Sequence, residues 1–240
     1  LKQKGTDNFC TVLNAPNGEG YVAGGGWGWT RPTPDLENEY EDGDARLTAS
    51  IFRKGQDDFF GQLFMDKVNG TGLGIRKWCI GNPPNNDGTT VDQVSWNNSS
   101  NYTLVRYAEV LLWYAEVENE LGDQATAAAY VNKVRARTGT TTDPNTINKN
   151  NIKPLPPISS SLSYEDMFWA IVHERRVEFA FEGKFGWDLR RWGIASEYLS
   201  DPNRWQNEVT PGYFKYKDGK DEIFPLPQIE IDRSNGTLKQ

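Results

Sequence analysis

The run HERRVEFAFEGKFGWDLRRWG, residues 173–193, constrains the fold of this chain more than any other feature. On a helix, Glu174, Glu178 and Glu182 recur every fourth residue and would lie on one face. Three like charges there repel one another unless cations from other parts of the chain meet them. The same run carries Phe and Trp rings that are too apolar to leave in water. We therefore expect a buried helix with paired charges that ends near Gly183.

These glutamates have a second interpretation. Two carboxylates that flank a glycosidic bond can hydrolyse it, so a pair from this helix, or from the acids of residues 35–44, could belong to a glycoside hydrolase. Helical Glu repeats beside Arg are more typical of ion-pair networks, and we favour that reading. Removal of one buried partner, by Arg190→Ala or Glu178→Ala, should then cost about 3–5 kcal/mol of stability.

The charge balance and chain length limit the class of protein. The 240 residues carry a net charge of −7 and no basic stripe, which argues against a nucleic-acid partner. The sequence contains no apolar run of the length that spans a bilayer. It begins at Leu1 without a targeting segment, and we expect it to be the C-terminal portion of a longer protein.

Few residues could hold a disulfide or a metal. Cys10 and Cys79 could form one bridge or remain two buried thiols, and their spacing does not decide between these. His173 is the only histidine, so a zinc site is not indicated. The turns at 42–46 and 82–87 could hold a structural calcium ion, although neither has the ligand periodicity of an EF-hand. We expect no other cofactor.

The chain divides by composition near residue 100. Residues 1–100 are rich in Gly, Asn, Asp and Pro, which predicts long loops with short strands. A short helix should begin near Pro34 and break at the Asp42-Gly43-Asp44 turn. Residues 50–55 read as a strand, whereas 58–68 fit a helix or a strand equally well.

Residues 101–240 are predicted to be helical. Helices over 106–122 and 124–139 should form an antiparallel hairpin, because only a short turn at Gly122 separates them. On the first helix, Tyr107, Val110, Leu111, Tyr114 and Ala115 share one face. Such a hairpin is similar to one tetratricopeptide unit, which needs neighbours to bury its outer faces.

Two further segments complete this region. Ser163 can cap a third helix, with Asp166 three residues later. The segment FPLPQIEID at 224–232 should be extended, because prolines bracket its first half.

Four elements in this order resemble the C-terminal half of the SusD/RagB family over about residues 24–235: PTPDLENEYEDGDARL, the hairpin RYAEVLLWYAEVENELG with AAYVNKVRARTG, HERRVEFAFEGKFGWDLRRWG, and FPLPQIEID. The resemblance implies a mainly α, SusD-like fold with a tetratricopeptide-like hairpin and a loop-rich region of short strands. It implies that residues 1–240 are one C-terminal portion, with 1–100 as the candidate ligand-binding region and 101–240 as the helical region.

The family resemblance also implies a function. Its members are surface lipoproteins of the outer membrane that bind oligosaccharides and deliver them to a SusC-like, TonB-dependent transporter, and they are not enzymes. The lipid anchor would lie in an N-terminal part; Cys10 does not fit that role, because no apolar leader precedes it. The alternatives are the glycoside hydrolase above and a protein-interaction scaffold that binds no sugar.

The candidate ligand residues come from the chemistry of sugar binding. Sugars stack their apolar faces on aromatic rings, while amides and charged groups bond the hydroxyls. Two Gly-rich or polar loops present such rings, GYVAGGGWGWTR (20–31) and GIRKWCIGNPPNND (74–87). We predict that the glycan site includes one ring of the second loop, three rings of the first, and one amide: Trp78, Trp27, Trp29, Tyr21 and Asn82. The competing interpretation is that Trp27 and Trp29 only pin their loop to the core.

Overall fold

The computed structural model describes residues 28, 30–59, 62–65, 71–77, 79, 103–139, 152–201, 216–223 and 225–239. These residues are mostly helical, as predicted. In chain order they form α1 (Pro34–Glu39), α2 (Ala45–Ser50), β1 (Ile51–Arg53), β2 (Asp58–Phe59), β3 (Gln62–Leu63), β4 (Leu73–Ile75), α3 (Tyr107–Glu120), α4 (Gln124–Ala136), a 3₁₀ turn (Arg137–Gly139), α5 (Tyr164–Glu178), α6 (Phe185–Arg191), α7 (Ala195–Ser200) and α8 (Gln228–Arg233).

The acidic turn separates two short helices. Thr33 caps α1, and its Oγ1 accepts from the backbone N–H of Leu36 at 3.3 Å, with Pro34 at the first helical position. The chain then turns at Gly43, whose φ of 87° is left-handed. Asp44 caps the next helix by accepting from the N–H of Arg46 at 2.9 Å. The predicted break is confirmed, but the sequence analysis did not foresee α2.

Two small antiparallel sheets follow. β1 pairs with β4 in the register Ile51↔Ile75, and β2 pairs with β3 in the register Asp58↔Leu63. A strand predicted at 50–55 is therefore present, but it is limited to Ile51–Arg53, because Ser50 ends α2 and residues 54–55 form a turn. The ambiguous stretch 58–68 supplies β2 and β3, so its described part is strand rather than helix.

The predicted hairpin is present in α3 and α4. Gly122 adopts a φ of 84° between them, and Asp123 caps α4 by accepting from the N–H of Thr126 at 2.9 Å. On α3, Leu111 and Ala115 point into the core. Two other members of the predicted face lie on the surface, since Tyr107 and Tyr114 are both more than half exposed.

Helix α5 joins the three hydrophobic clusters of the described chain. Met167 and Ile171 pack against the hairpin α3–α4. Val177 packs against Tyr40, Ile51 and Leu73 of the loop-rich region, and Val172 packs with the cluster around α6 and α7, which includes Leu189, Ala195 and Tyr198. Ser163 caps this helix as predicted, accepting from the N–H of Asp166 at 3.1 Å. Different faces of α5 therefore pack against the hairpin, the loop-rich region and the helices that follow.

Two predicted segment boundaries are wrong. Helix α5 ends at Glu178 rather than near Gly183, because Phe179 turns into the hairpin core and Phe181 takes a left-handed φ of 64°. Glu182 therefore lies in the following turn. The segment 224–232 was expected to be extended, but it forms α8 from Gln228, with Pro227 at the cap position. The prolines stop short of the helix, so they do not interrupt its hydrogen bonds.

Among the described residues, no helix combines the length and apolarity needed to cross a membrane. Cys79 carries a free thiol whose Sγ lies 3.3 Å from the carbonyl oxygen of Ile75, and burial raises the pKa of this thiol. The other cysteine, Cys10, lies outside the described residues.

Candidate functional site

Three carboxylates and two arginines form a ladder along the end of α5. Arg46 Nη1 lies 2.5 Å from Glu174 Oε1 and 3.1 Å from Glu178 Oε2, so it bridges the first two carboxylates. Arg106 pairs with Glu178 and also lies 2.9 Å from Glu182 Oε1, so it bridges the second two. Cations from distant segments thus relieve the repulsion that the glutamate spacing implies, as the ion-pair interpretation predicted.

We call Glu174, Glu178, Glu182, Arg46 and Arg106 the ionic ladder. Three more cations surround it. Arg135 lies 3.0 Å from Glu174, Lys77 lies 2.6 Å from Glu182, and Arg137 pairs with Glu178. The side chains of Glu174, Glu178 and Glu182 are all buried. Buried carboxylates of this kind are tolerated only when cations and hydrogen bonds compensate for lost hydration.

The ladder fixes the charge state of Glu178. Burial alone would raise the pKa of this carboxyl, but Arg106, Arg137 and Arg46 outweigh burial and lower it to about 2. A glycoside hydrolase needs one carboxyl that is protonated near neutral pH in order to donate to the leaving oxygen. Glu178 is therefore unsuited to act as that acid.

Five of the six acids of residues 35–44 are paired as well. Arg176 holds both Asp35 and Glu39, while Arg135 lies 2.7 Å from Glu41. The hydrogen bond from Arg135 is the main cause that lowers the pKa of Glu41. The remaining two also have cations: Lys153 lies 2.7 Å from Asp42, and Arg46 lies 2.8 Å from Asp44. The second candidate for a hydrolytic pair is thus engaged in structural contacts.

The calcium hypothesis receives no support from the described part of the chain. No group of three or more His, Cys, Asp or Glu side chains there could hold a metal ion. In the turn 42–46, Asp42 and Asp44 each have a cation as partner. The second proposed turn, 82–87, lies outside the described residues.

Arg190 and Arg191 lie at the end of α6, and their described partners are not the glutamates of the ionic ladder. Arg191 Nε donates to Asp188 at 2.9 Å and pairs with Glu116, while Arg190 donates to the carbonyls of Gly186 and Asp221. Asp188 also accepts a hydrogen bond from Nε of Arg175. The guanidinium carbon of Arg175 lies over the Phe179 ring, 5.1 Å from its centroid. The expectation that loss of Arg190 destabilises the fold stays a prediction, and its described hydrogen bonds reach two carbonyl oxygens.

All five predicted ligand residues lie outside the described residues: Trp78, Trp27, Trp29, Tyr21 and Asn82. Residues next to Trp27, Trp29 and Trp78 are described, whereas those next to Tyr21 and Asn82 are not. Lys77 precedes Trp78 and is anchored to the end of α5, donating to the carbonyl of Glu178 at 2.9 Å and pairing with Glu182. Burial lowers the pKa of Lys77 in this position, against the opposing effect of Glu182. Arg31 follows Trp29 by two positions and lines a pocket.

That pocket has a volume of about 390 Å³ and lies between the start of α1 and the turn from α5 to α6. Its walls are mainly apolar and aromatic, and three cations lie among them. The rings of Phe185 and Tyr198 meet edge to face, with centroids 5.3 Å apart. We call it the ring pocket, and its lining includes Arg31, Arg176, Phe181, Lys184, Phe185 and Tyr198.

The structure brings the ends of the two predicted ligand loops to one place. Lys77, from the second loop, contacts Glu178 and Glu182. Arg31, from the first loop, lines the ring pocket together with Phe179 and Gly183. Lys77 and Arg31 therefore both lie near the turn between α5 and α6. The sequence signal for this turn is the Phe-rich, Gly-containing stretch 179–186. The sequence analysis interprets its rings only as buried side chains.

The fold and this site define a helical, tetratricopeptide-like scaffold that presents a ring-lined pocket beside an ionic ladder. Residues 61–240 match the model of the SusD family, and the chain belongs to that family. A SusD-like protein of Bacteroides ovatus is 28% identical over 208 residues, which cover 81% of this chain and 33% of that protein. The resemblance to SusD/RagB proteins is thus confirmed.

Solved structures share the fold. A SusD-like protein from Bacteroides fragilis NCTC 9343 is 26% identical with a TM-score of 0.60, covering 82% of this chain and 43% of that one. Surface glycan-binding protein A from Bacteroides uniformis is 22% identical with a TM-score of 0.59, covering 95% of this chain and 45% of that one. This chain therefore spans less than half the length of these relatives.

Proposed function

We propose that this chain is part of a surface protein that binds an oligosaccharide and performs no chemistry on it. The whole protein would sit at the outer membrane through a lipid anchor outside this sequence. It would deliver the sugar to a SusC-like, TonB-dependent transporter. The observation that carries this proposal is the match of residues 61–240 to the SusD family.

The likeness to solved structures supports the assignment of the fold. The Bacteroides uniformis protein of the same fold is named a surface glycan-binding protein. At 22% identity that likeness concerns architecture, and the extension to sugar binding in this chain is our proposal.

The geometry of the carboxylates supports binding over hydrolysis. Each glutamate of the ionic ladder is buried and paired with at least one arginine, and Glu178 stays ionised to about pH 2. A retaining or inverting pair needs a protonated partner and room for a sugar between the two groups. These side chains instead join α5 to the rest of the fold, so we assign them a structural role.

The glycan-contacting residues remain those predicted from the sequence. We propose that Trp78, Trp27, Trp29 and Tyr21 supply stacking rings and that Asn82 supplies an amide. The anchoring of Lys77 on Glu182 supports this choice, because a fixed residue beside Trp78 limits the conformational entropy lost on binding.

The test compares tryptophan variants of the intact protein. Trp78→Ala and Trp29→Ala should each weaken binding to the recognised glycan by roughly tenfold, as expected for the loss of a buried aromatic contact. The matched control is Trp187→Ala, because Trp187 is 58% exposed on α6 and does not line the ring pocket. Equal binding by all three variants, with unchanged thermal melts, would contradict the assignment of these rings.

A further inference from the structure

Helix α3 carries a row of apolar side chains on its outer surface. The row repeats at the spacing of one helix face and continues into the turn after the helix: Tyr107, Val110, Tyr114, Val117 and Leu121. Tyr107 and Leu121, at its two ends, are 74% and 75% exposed, and Tyr114 and Val117 are more than half exposed. Val110 is half-buried. We call these five residues the outer face of α3.

The opposite side of the same helix is buried in the hairpin core, where Leu111, Leu112 and Ala115 pack. Helix α3 is therefore apolar on two sides, although only one of them is covered. Single exposed apolar residues are ordinary on a protein surface, but a contiguous apolar patch marks a contact with another surface. Exposed apolar area is unfavourable in water, so the outer face of α3 requires a cover.

The apolar surface is large enough to seat a second helix. From Tyr107 to Leu121 it extends about 21 Å, which is the length of about four helical turns. It is also wider than one row of side chains. The ring of Tyr114 meets that of Tyr130 on α4, with centroids 5.1 Å apart, and the neighbouring Trp113 is 40% exposed. A groove with ridges on both sides is the surface against which helices pack.

The charges of α3 argue against a second copy of this chain as the cover. The helix carries four glutamates and neither Lys nor Arg. Glu109 and Glu116 are paired with cations, whereas no cation among the described residues pairs with Glu118 or Glu120. These last two lie at opposite edges of the outer face. Two copies joined through α3 would bring like charges together, while a helix with basic edges would complement them.

The length of the relatives favours a cover from the same polypeptide. This chain spans less than half the length of the solved proteins that share its fold. A cover that belongs to the same polypeptide stays in place on dilution, because its effective concentration is fixed by the connection. The likeness of the hairpin α3–α4 to a tetratricopeptide unit agrees with this source, since such units bury their outer faces against neighbouring helices of the same chain.

We propose that the outer face of α3 is covered by an amphipathic helix of the same polypeptide that lies outside these 240 residues. Its apolar side chains pack against Tyr114, Val117 and Leu121, and its basic residues lie near Glu118 and Glu120. This inference concerns the scaffold and does not depend on the proposed binding of a sugar.

Photo-cross-linking of the full-length protein identifies the cover. The photoreactive amino acid p-benzoylphenylalanine, placed at Tyr114, keeps an aromatic ring on the outer face. On irradiation its ketone couples to a C–H bond of the group that lies against it. Mass spectrometry of the monomeric fraction then reads the attached peptide. We expect a peptide from outside residues 1–240, in equal yield at low and high protein concentration.

Two substitutions at Val117 test the cover in the same full-length protein. Gln is a better helix former than Val, so Val117→Gln should leave an uncovered helix unchanged or more stable. Under a cover it buries an amide without partners, and the melting temperature should fall by several degrees. Val117→Ile keeps the surface apolar and is the matched control, which should melt close to the wild type. Neither substitution changes the charge of α3.

A coupled peptide from outside the 240 residues, together with a lower melting temperature in Val117→Gln alone, supports the inference. Coupling to a second copy, seen only at high concentration, overturns it, and so does coupling to a peptide within residues 1–240. A monomer without any coupled peptide, in which Val117→Gln melts like the wild type, also overturns it. All of these outcomes leave the proposed binding of a sugar untouched.

Discussion

Arg135 of α4 and Glu174 of α5 form a buried ion pair, with 3.0 Å between Nη1 and Oε2. Neither side chain has appreciable contact with solvent, and the residues are 39 positions apart in the chain. Arg135 also bonds Glu41 and the carbonyl of Pro156. One side chain therefore ties the hairpin to α5, to the acidic turn and to the loop before α5.

A double-mutant cycle should detect this coupling. We expect Arg135→Met and Glu174→Gln each to lower the free energy of unfolding by about 3–5 kcal/mol, because each leaves a buried partner uncompensated. The double variant should cost less than the two single changes together, by about 1–3 kcal/mol. Urea denaturation of the four proteins measures these values, and strict additivity would show that the pair is not coupled.

The ionic ladder predicts a difference between glutamates of the same helix. Glu178→Gln should cost about 3–5 kcal/mol, because it weakens the compensation of three arginines. Glu165→Gln, an exposed change in the first turn of α5, should cost no more than about 1 kcal/mol.

The same variants separate stability from binding. In the protein that remains folded, Glu178→Gln should leave glycan affinity nearly unchanged, because Glu178 is buried in structural contacts. Normal thermal melts together with lost sugar binding would contradict the structural role of the ladder.

His173 predicts a pH dependence on the basic side. Burial would lower the pKa of His173, but the hydrogen bond to Glu39 and the nearby Glu41 and Glu174 carboxylates outweigh burial and raise it above 6.5. Its stabilising contribution is thus fully present below about pH 6.5 and is lost as the pH rises through the folded-state pKa. The stability difference between wild type and His173→Gln should therefore be larger near pH 5.5 than near pH 8.5. Equal differences at both values would refute the pairing.

Replacement of Gly122 should change stability through backbone conformation and not through steric clashes. Its φ is 84°, and a Cβ placed there would meet nothing within 4 Å. Gly122→Ala should therefore lower stability by about 1 kcal/mol through conformation alone. Gly122→Asn should recover part of this loss, since Asn tolerates the left-handed region better. Thermal unfolding of the two variants makes the comparison, and equal melting temperatures would argue against a left-handed turn.

Local chemistry made some helix boundaries predictable. Ser163 and Gly122 mark helix boundaries through groups within three residues of themselves, so their roles could be inferred without the fold. The end of α5 could not, because the burial of Phe179 against α3 and α4 stops the helix before Gly183. Tertiary packing there overrides the local signal.

The site was less predictable because distant segments build it. Glu178 has partners at Arg46, Arg106 and Arg137, and the spacing of the glutamates announces a need for cations without naming them. The ring pocket likewise combines residues near 31, 181 and 198. Loop composition predicted where sugar-stacking rings would occur, whereas the positions of Lys77 and Arg31 near the turn after α5 required coordinates.

Affinity electrophoresis of the intact protein against neutral and anionic polysaccharides, with an assay for released reducing sugar on the same mixtures, tests the central claim most directly. The account predicts retarded migration on at least one polymer and no reducing sugar. Released sugar would contradict it, because the paired carboxylates would then have to perform hydrolysis. Unretarded migration on every polymer would contradict it as well and would favour a protein-interaction scaffold.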